Sequence, residues 1–316
     1  MNLSAKLHFT PAEKITILYM LLSFILMLLV GMPANKILDL LFLRVGFLVV
    51  MLLLVFLDNK LEYKILYLLR AVFVLALLSY WYPETFEINR YVGNYDHWLA
   101  WLDQVMFGFQ PAMVFAQRFP GRWIAELMNL GYSSYFVIIA GTLAFYFFRQ
   151  KKYFMPYFFV LMFAFFVYYL FYILFPASGP QFYYAVIGKL HVNMGVFPQI
   201  GTYFNTHPFV AKTEPDAGVF HRLVELTQKL GERPTAAFPS SHVGISTLIL
   251  LLVIKNKNYV LAAVIIPFYI FLVMATVYIQ AHFLVDVLAG VVSSVILLFV
   301  GLAVYPLFCR RTVAPV

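Results

Sequence analysis

An all-α, polytopic membrane protein is the fold class this sequence predicts, on two observations. Hydrophobic residues make up 63% of the chain, aromatic residues 19% and charged residues only 11%, whereas soluble domains carry roughly 25% charged residues. The apolar residues also fall in runs of about 20, the length a helix needs to cross a hydrocarbon core of about 30 Å. About eight such runs share the 316 residues, which predicts one helical membrane domain and no separate soluble one.

The first run, 15–32, shows no small-residue cleavage pattern, so it reads as a span and not as a signal peptide. Runs 40–57 and 65–82 follow, each carrying an arginine, Arg44 and Arg70, that must snorkel or face other helices. Segment 83–122 is too polar to cross; its Trp98, Trp101, Val105, Met106, Phe109 and Val114 suit an amphipathic stretch lying in the interface. Asp96, His97 and Asp103 in that stretch read as caps or interface anchors. Spans 123–148 and 153–175 come next, then a long connection, 176–237. Its end, from Gly231 through Pro234 and Pro239 to Ser240 and Ser241, is the sharpest helix-start signal in the chain. Spans 238–254, 259–278 and 283–307 complete the set.

Charge distribution then sets orientation. With eight spans, Lys6, Lys14, Lys60, Lys64, Arg149, Lys151, Lys152, Lys255, Lys257, Arg310 and Arg311 share one side, cytoplasmic by the positive-inside rule, with Lys36 the exception. Segments 83–122, 176–237 and 279–281 then lie outside. This distribution accounts for the net charge of +8 without a nucleic-acid partner. The single cysteine, Cys309, excludes an internal disulfide and at a span end is inert or an acylation site.

Polar chemistry gathers at the outer ends of the last spans: His242 in Ala237-Phe238-Pro239-Ser240-Ser241-His242, and His282 with Asp286 four residues on. Residues at i and i+4 share a helix face, so Asp286 can hydrogen-bond one nitrogen of His282 and leave the other as a nucleophile or base. The N–H groups following Pro239-Ser240-Ser241 favour an anion, with His242 beside them as proton donor or acceptor. An oriented imidazole, an acid–base imidazole and an anion cradle suit phosphoryl transfer through a phosphohistidine better than hydride or acyl transfer. A polar network tying helix ends together, or a metal site, could use the same three residues; no further carboxylate or cysteine has ligand spacing, so neither metal nor cofactor is expected. A transporter would place its ionisable groups near the midplane and show inverted repeats, and neither pattern is present.

Pro239-Ser240-Ser241-His242 resembles the second motif of the type 2 phosphatidic acid phosphatase superfamily, usually Pro-Ser-Gly-His, and His282 with Asp286 resembles the end of its third. The resemblance covers roughly 123–307, five of the family's six core helices, with 65–82 as the sixth; residues 1–62 then form an added helix pair and 63–316 the catalytic domain. It implies that His282 attacks phosphorus, Asp286 orients it and His242 protonates the departing oxygen. Two features depart from the phosphatase branch. Thr276 stands six residues before His282, where an arginine is usual, and Phe175-Pro176-Ala177-Ser178-Gly179-Pro180-Gln181-Phe182 stands where the first motif belongs. With Thr276-Val277-Tyr278 ahead of His282-Phe283, the chain is similar instead to the inositol phosphorylceramide synthase branch, which moves a phospho-alcohol headgroup from a phospholipid to ceramide and needs no metal. The alternative is a lipid phosphate or polyprenyl diphosphate phosphatase. Ser240, Ser241, Arg233, Arg222, Gln181 and Tyr278 are the candidate substrate- or phosphate-binding residues, and His191, His207 and His221 share the outer loop.

Overall fold

The computed structural model describes residues 7–61, 63–207, 218–231 and 233–309, and among these every regular element is helical. Arg310 and Arg311 of the orientation argument, and Lys6, lie outside the described residues. The chain runs α1 (Pro11–Leu29), α2 (Ala34–Leu61), α3 (Lys64–Ala76), α4 (Leu78–Asn89), α5 (Asp96–Phe107), α6 (Pro111–Arg118) and α7 (Arg122–Arg149). It continues through α8 (Lys151–Leu174), α9 (Pro180–Ile187), α10 (Lys189–Asn193), α11 (Val219–Gly231), α12 (Ser241–Lys255), α13 (Tyr259–Tyr278) and α14 (Leu284–Phe308).

Seven of these helices are long and apolar enough to cross a bilayer, α3 and α4 counting as one. The eighth expected span, 238–254, is shorter than its apolar run: α12 starts only at Ser241 and has 15 residues, because Pro239 and the capping Ser240 end an extended approach. Packed against α7, α8, α13 and α14, with most of its side chains buried, α12 is surrounded by protein and is not obliged to match the hydrocarbon thickness. Its inclusion gives an even number of passes. Lys14 at the start of α1 accordingly donates to the Phe308 carbonyl at the end of α14, 2.6 Å away. The α7–α8 and α12–α13 turns meet as well, through Asn256 and Gln150 at 2.5 Å.

Segment 83–122 departs from expectation at its start. Residues 83–89 extend the third span as the second half of α4, with Pro83 inside the helix. Beyond them α5 and α6 bear out an amphipathic segment: Trp98, Trp101, Val105, Met106, Phe109 and Val114 are all exposed, while Leu99 and Ala100 are buried.

The two intramembrane arginines face inward, and each makes four hydrogen bonds, its carboxylate pairing included. Arg44 of α2 donates to both carboxylate oxygens of Glu84 of α4 (3.1 and 2.6 Å), to the Met20 carbonyl (2.7 Å) and to Ser23 Oγ (3.0 Å) of α1. Arg70 of α3 grips Glu13 of α1 (2.7 and 2.5 Å), Asp58 of α2 (2.5 Å) and the His8 carbonyl (2.8 Å). A guanidinium in so apolar a setting must satisfy its donors internally, and these two do so by joining α1 to α4. At the centre, α8 is the most enclosed span, its Phe166 stacked at 4.5 Å on Tyr19 of α1.

Glycines set the closest helix crossings, as small residues do in membranes generally. A Cβ on Gly131 of α7 would lie 2.7 Å from the Phe271 backbone of α13, and one on Gly290 of α14 would lie 2.6 Å from the Ser240 carbonyl. Gly244 of α12 has no room either, against the Tyr168 hydroxyl. Through the Gly290 and Gly244 contacts α12 and α14, the helices bearing the two histidine motifs, approach each other at their N-terminal ends.

Candidate active site

His242 stands at the second position of α12. Ser240 is the N-cap, its Oγ accepting from the Val243 N–H at 3.3 Å, and the Ser241 N–H donates to the Tyr172 hydroxyl at 3.1 Å. Two first-turn donors of the expected anion cradle are therefore already used within the protein. The half-buried His242 ring lies against two tyrosines of α7, Tyr132 stacked at 4.7 Å and Tyr135 tilted at 4.5 Å between centroids.

His282 occupies the turn between α13 and α14 and is 3% exposed. Its Nδ1 lies 2.8 Å from the Ala237 carbonyl oxygen. A carbonyl only accepts, so Nδ1 carries the proton, and in the neutral ring the lone pair is on Nε2. Nε2 in turn faces His242 Nδ1 at 3.5 Å. Burial holds the His282 imidazole down at about 4, opposed by the Ala237 hydrogen bond, so at neutral pH the ring is uncharged. The expected hydrogen bond from His282 to Asp286 is replaced by this carbonyl contact. Asp286 Oδ2 sits 3.6 Å from Nδ1 because it is engaged by the Phe283 N–H at 2.8 Å, as the cap of its own helix. Its other oxygen, Oδ1, is buried with no hydrogen-bond partner. Thr276, in the arginine position, is buried; its hydroxyl donates to the Val273 carbonyl at 2.8 Å and its own carbonyl accepts the His282 N–H at 3.0 Å.

Two carboxylates read from sequence as caps or anchors turn out to hold the site's loops. Asp103 is buried, and its two oxygens accept the N–H groups of Leu284 (3.0 Å) and Val285 (2.9 Å) in the first turn of α14. Burial pushes its carboxyl up to about 6, against the pull of those two donors. Asp96, also buried, accepts from the Ser178 N–H (2.7 Å), Ser178 Oγ (2.5 Å), the Gly179 N–H (2.8 Å) and the Asn94 side chain. Burial raises its carboxyl, with the Ser178 and Gly179 donors opposing. A usable signal was present in the sequence: both residues lie on the side of α5 opposite Trp98, Trp101 and Val105. The Ala237 carbonyl, and Tyr132 and Tyr135, left no such trace.

The remaining candidates are dispersed. Gln181 adjoins the His282 turn, its backbone N–H donating to the Gln280 carbonyl at 2.8 Å. The Tyr278 hydroxyl donates to the Phe119 carbonyl at 2.9 Å. Arg222 is exposed on α11 and Arg233 partly exposed just before α12. His191 is bonded to the Ile187 carbonyl (2.7 Å), His207 stacks on Tyr203 (3.9 Å), and His221 meets Asn129 (3.5 Å). Among the described residues no three or more His, Cys, Asp or Glu side chains are grouped to hold a metal ion.

Comparison with family models matches residues 97–300 to the PAP2 superfamily, a stretch that includes His242, His282 and Asp286. Searches of curated proteins and of solved structures found no match. The match covers more than half of the 316 residues and coincides with the paired histidines at the helix ends; the chain belongs to the PAP2 superfamily and is a lipid phosphatase or phosphotransferase of that family.

Proposed function

We propose that the protein transfers a phospho-alcohol headgroup from a glycerophospholipid donor, of phosphatidylinositol type, to the hydroxyl of ceramide or a similar lipid. The observation that carries this reading is the fixed tautomer of His282, with Nδ1–H given to the Ala237 carbonyl and Nε2 facing His242. Nε2 attacks phosphorus and the bond to the diacylglycerol oxygen breaks. His242, protonated in the substrate complex beside the anionic phosphodiester, gives its proton to that oxygen. Asp286, 3.6 Å from Nδ1, stabilises the positive charge that builds on the ring. The acceptor hydroxyl then loses its proton to His242 and attacks phosphorus, breaking the P–N bond and freeing His282.

Thr276 supports transfer over hydrolysis. A terminal phosphate dianion calls for a guanidinium, whereas a diester carries a single charge, and the Thr276 hydroxyl is spent within its own helix. In this reading residues 63–316 form the catalytic domain, 1–62 an added helix pair, and the site faces the extracytoplasmic side. Arg222, Arg233, Gln181 and Tyr278 are, in this reading, the candidates for contact with the headgroup outside the histidine pair.

Purified protein in lipid, given labelled phosphatidylinositol and ceramide, is expected to form a labelled sphingolipid, in excess chelator as well as without it. His282→Ala is expected to lower the rate at least about a thousandfold, the scale of losing a covalent nucleophile. Phosphate release from phosphatidic acid with no headgroup transfer would instead identify a phosphatase, and transport surviving in His282→Ala would overturn the enzymatic reading of the site.

A further inference from the structure

Helix α5 carries neither histidine, yet its buried face bonds the backbone just after His282 and the loop that packs against the residues just before it. Downstream, Asp103 holds Leu284 and Val285 at 3.0 and 2.9 Å, two and three residues after the nucleophile. Upstream, one helical face and seven residues away, Asp96 holds Ser178 and Gly179. That loop is bonded onward: the Ala237 N–H donates to the Ala177 carbonyl at 2.9 Å, and the Gln181 N–H to the Gln280 carbonyl at 2.8 Å. Ala237 is the residue whose carbonyl fixes His282 Nδ1. Gly179, at φ +89°, packs so closely on the Ala281 carbonyl that a Cβ would not fit.

We infer that Asp103 and Asp96 are positioning residues, and that α5 is a two-point clamp setting the direction of His282 Nε2 from both sides. The carboxylates suit this task better than neutral groups. Each accepts two or more backbone N–H bonds at once, and Asp103 also meets the positive end of the α14 dipole. Without Asp103 two first-turn N–H groups, that of Val285 buried and that of Leu284 partly so, lose their acceptor and the turn carrying His282 is free to move. A displacement of about 1 Å in a reacting group costs up to about a hundredfold in rate.

The inference rests on His282 as nucleophile, and its test separates the two ideas. In the full-length protein, Asp103→Ala is expected to lower kcat about 10- to 100-fold with KM changed less than about threefold. Asp103→Asn, which keeps one acceptor, should fall between it and the wild type. Leu99→Ala, on the same buried face of α5, is the control for lost stability and should keep its kcat. Hydrogen exchange reads the clamp without reference to activity: the Leu284 and Val285 amides should exchange faster in Asp103→Ala, or in Asp103→Asn if the alanine variant does not fold. Unchanged amide protection overturns the clamp, as does a kcat loss matched by Leu99→Ala. An active His282→Ala enzyme with faster amide exchange in Asp103→Ala would sustain the clamp and overturn only the nucleophile.

Discussion

At the scale of single residues, the decisive contact is a backbone carbonyl. Ala237 dictates which nitrogen of His282 is protonated, a task that spacing in the sequence assigns to Asp286. The aspartate is left 3.6 Å away, engaged instead by the Phe283 N–H. The neutral ring has a consequence for pH. Burial lowers His282 from 6.5 to about 4, so the folded state binds fewer protons than the unfolded state between those values. The resulting stability is fully present above about 6.5 and is lost as pH falls toward about 4. Thermal unfolding of the detergent-solubilised protein should therefore shift to lower temperature over that window, and less so in His282→Gln. The acid limb of kcat/KM assigned to His282 should likewise lie below that of a solvated imidazole.

At the scale of elements, the site depends on how closely α12 and α14 cross. Gly244 and Gly290 carry no side chain at the point where a Cβ would meet the Tyr168 hydroxyl or the Ser240 carbonyl, and the Ser240 N–H donates to the Asp286 carbonyl across the same gap at 3.0 Å. Gly290→Ala is expected to cost about 1–3 kcal/mol by overpacking and to reduce kcat more than KM, since it drives apart the helices that bring His242 and His282 to 3.5 Å. Denaturant titration and steady-state kinetics on the one variant check both parts. Apolar run lengths and caps made most elements legible, including the N-cap of α12 at Ser240. The extension of α4 to Asn89 was not, because Pro83 and the polar residues after it read as a break, while in the protein Asn89 is satisfied by the Tyr172 carbonyl at 2.8 Å and by the Thr235 hydroxyl.

At the scale of the whole molecule, buried ion pairs join the N-terminal helices to the rest. Arg44 and Glu84 are 40 residues apart and each almost inaccessible. Arg44→Met alone leaves Glu84 as an uncompensated charge and should cost about 3–5 kcal/mol, whereas Arg44→Met with Glu84→Leu should recover most of that loss. Thermal stability of the single and double variants gives the answer, and a double variant no more stable than the single would contradict the pairing. Such a pairing is invisible in composition, which shows only that an arginine lies in an apolar run and must find a partner.

What the sequence determined by itself is whatever is local or periodic: the all-α membrane class, the run lengths, the capped start of α12, and two histidine motifs placed in order with the carboxylate one helical turn beyond the second. These follow from hydrophobicity and helix geometry over short stretches. Tertiary structure alone decided which partners those groups take. His282 is held by a carbonyl 45 residues away, and its helix by an aspartate 181 residues away. Burial in the assembled bundle keeps the His282 ring uncharged at neutral pH. The physical reason is that hydrogen bonding and desolvation act through space, between segments whose approach is set by the packing of all the helices together, whereas composition and spacing act only along the chain.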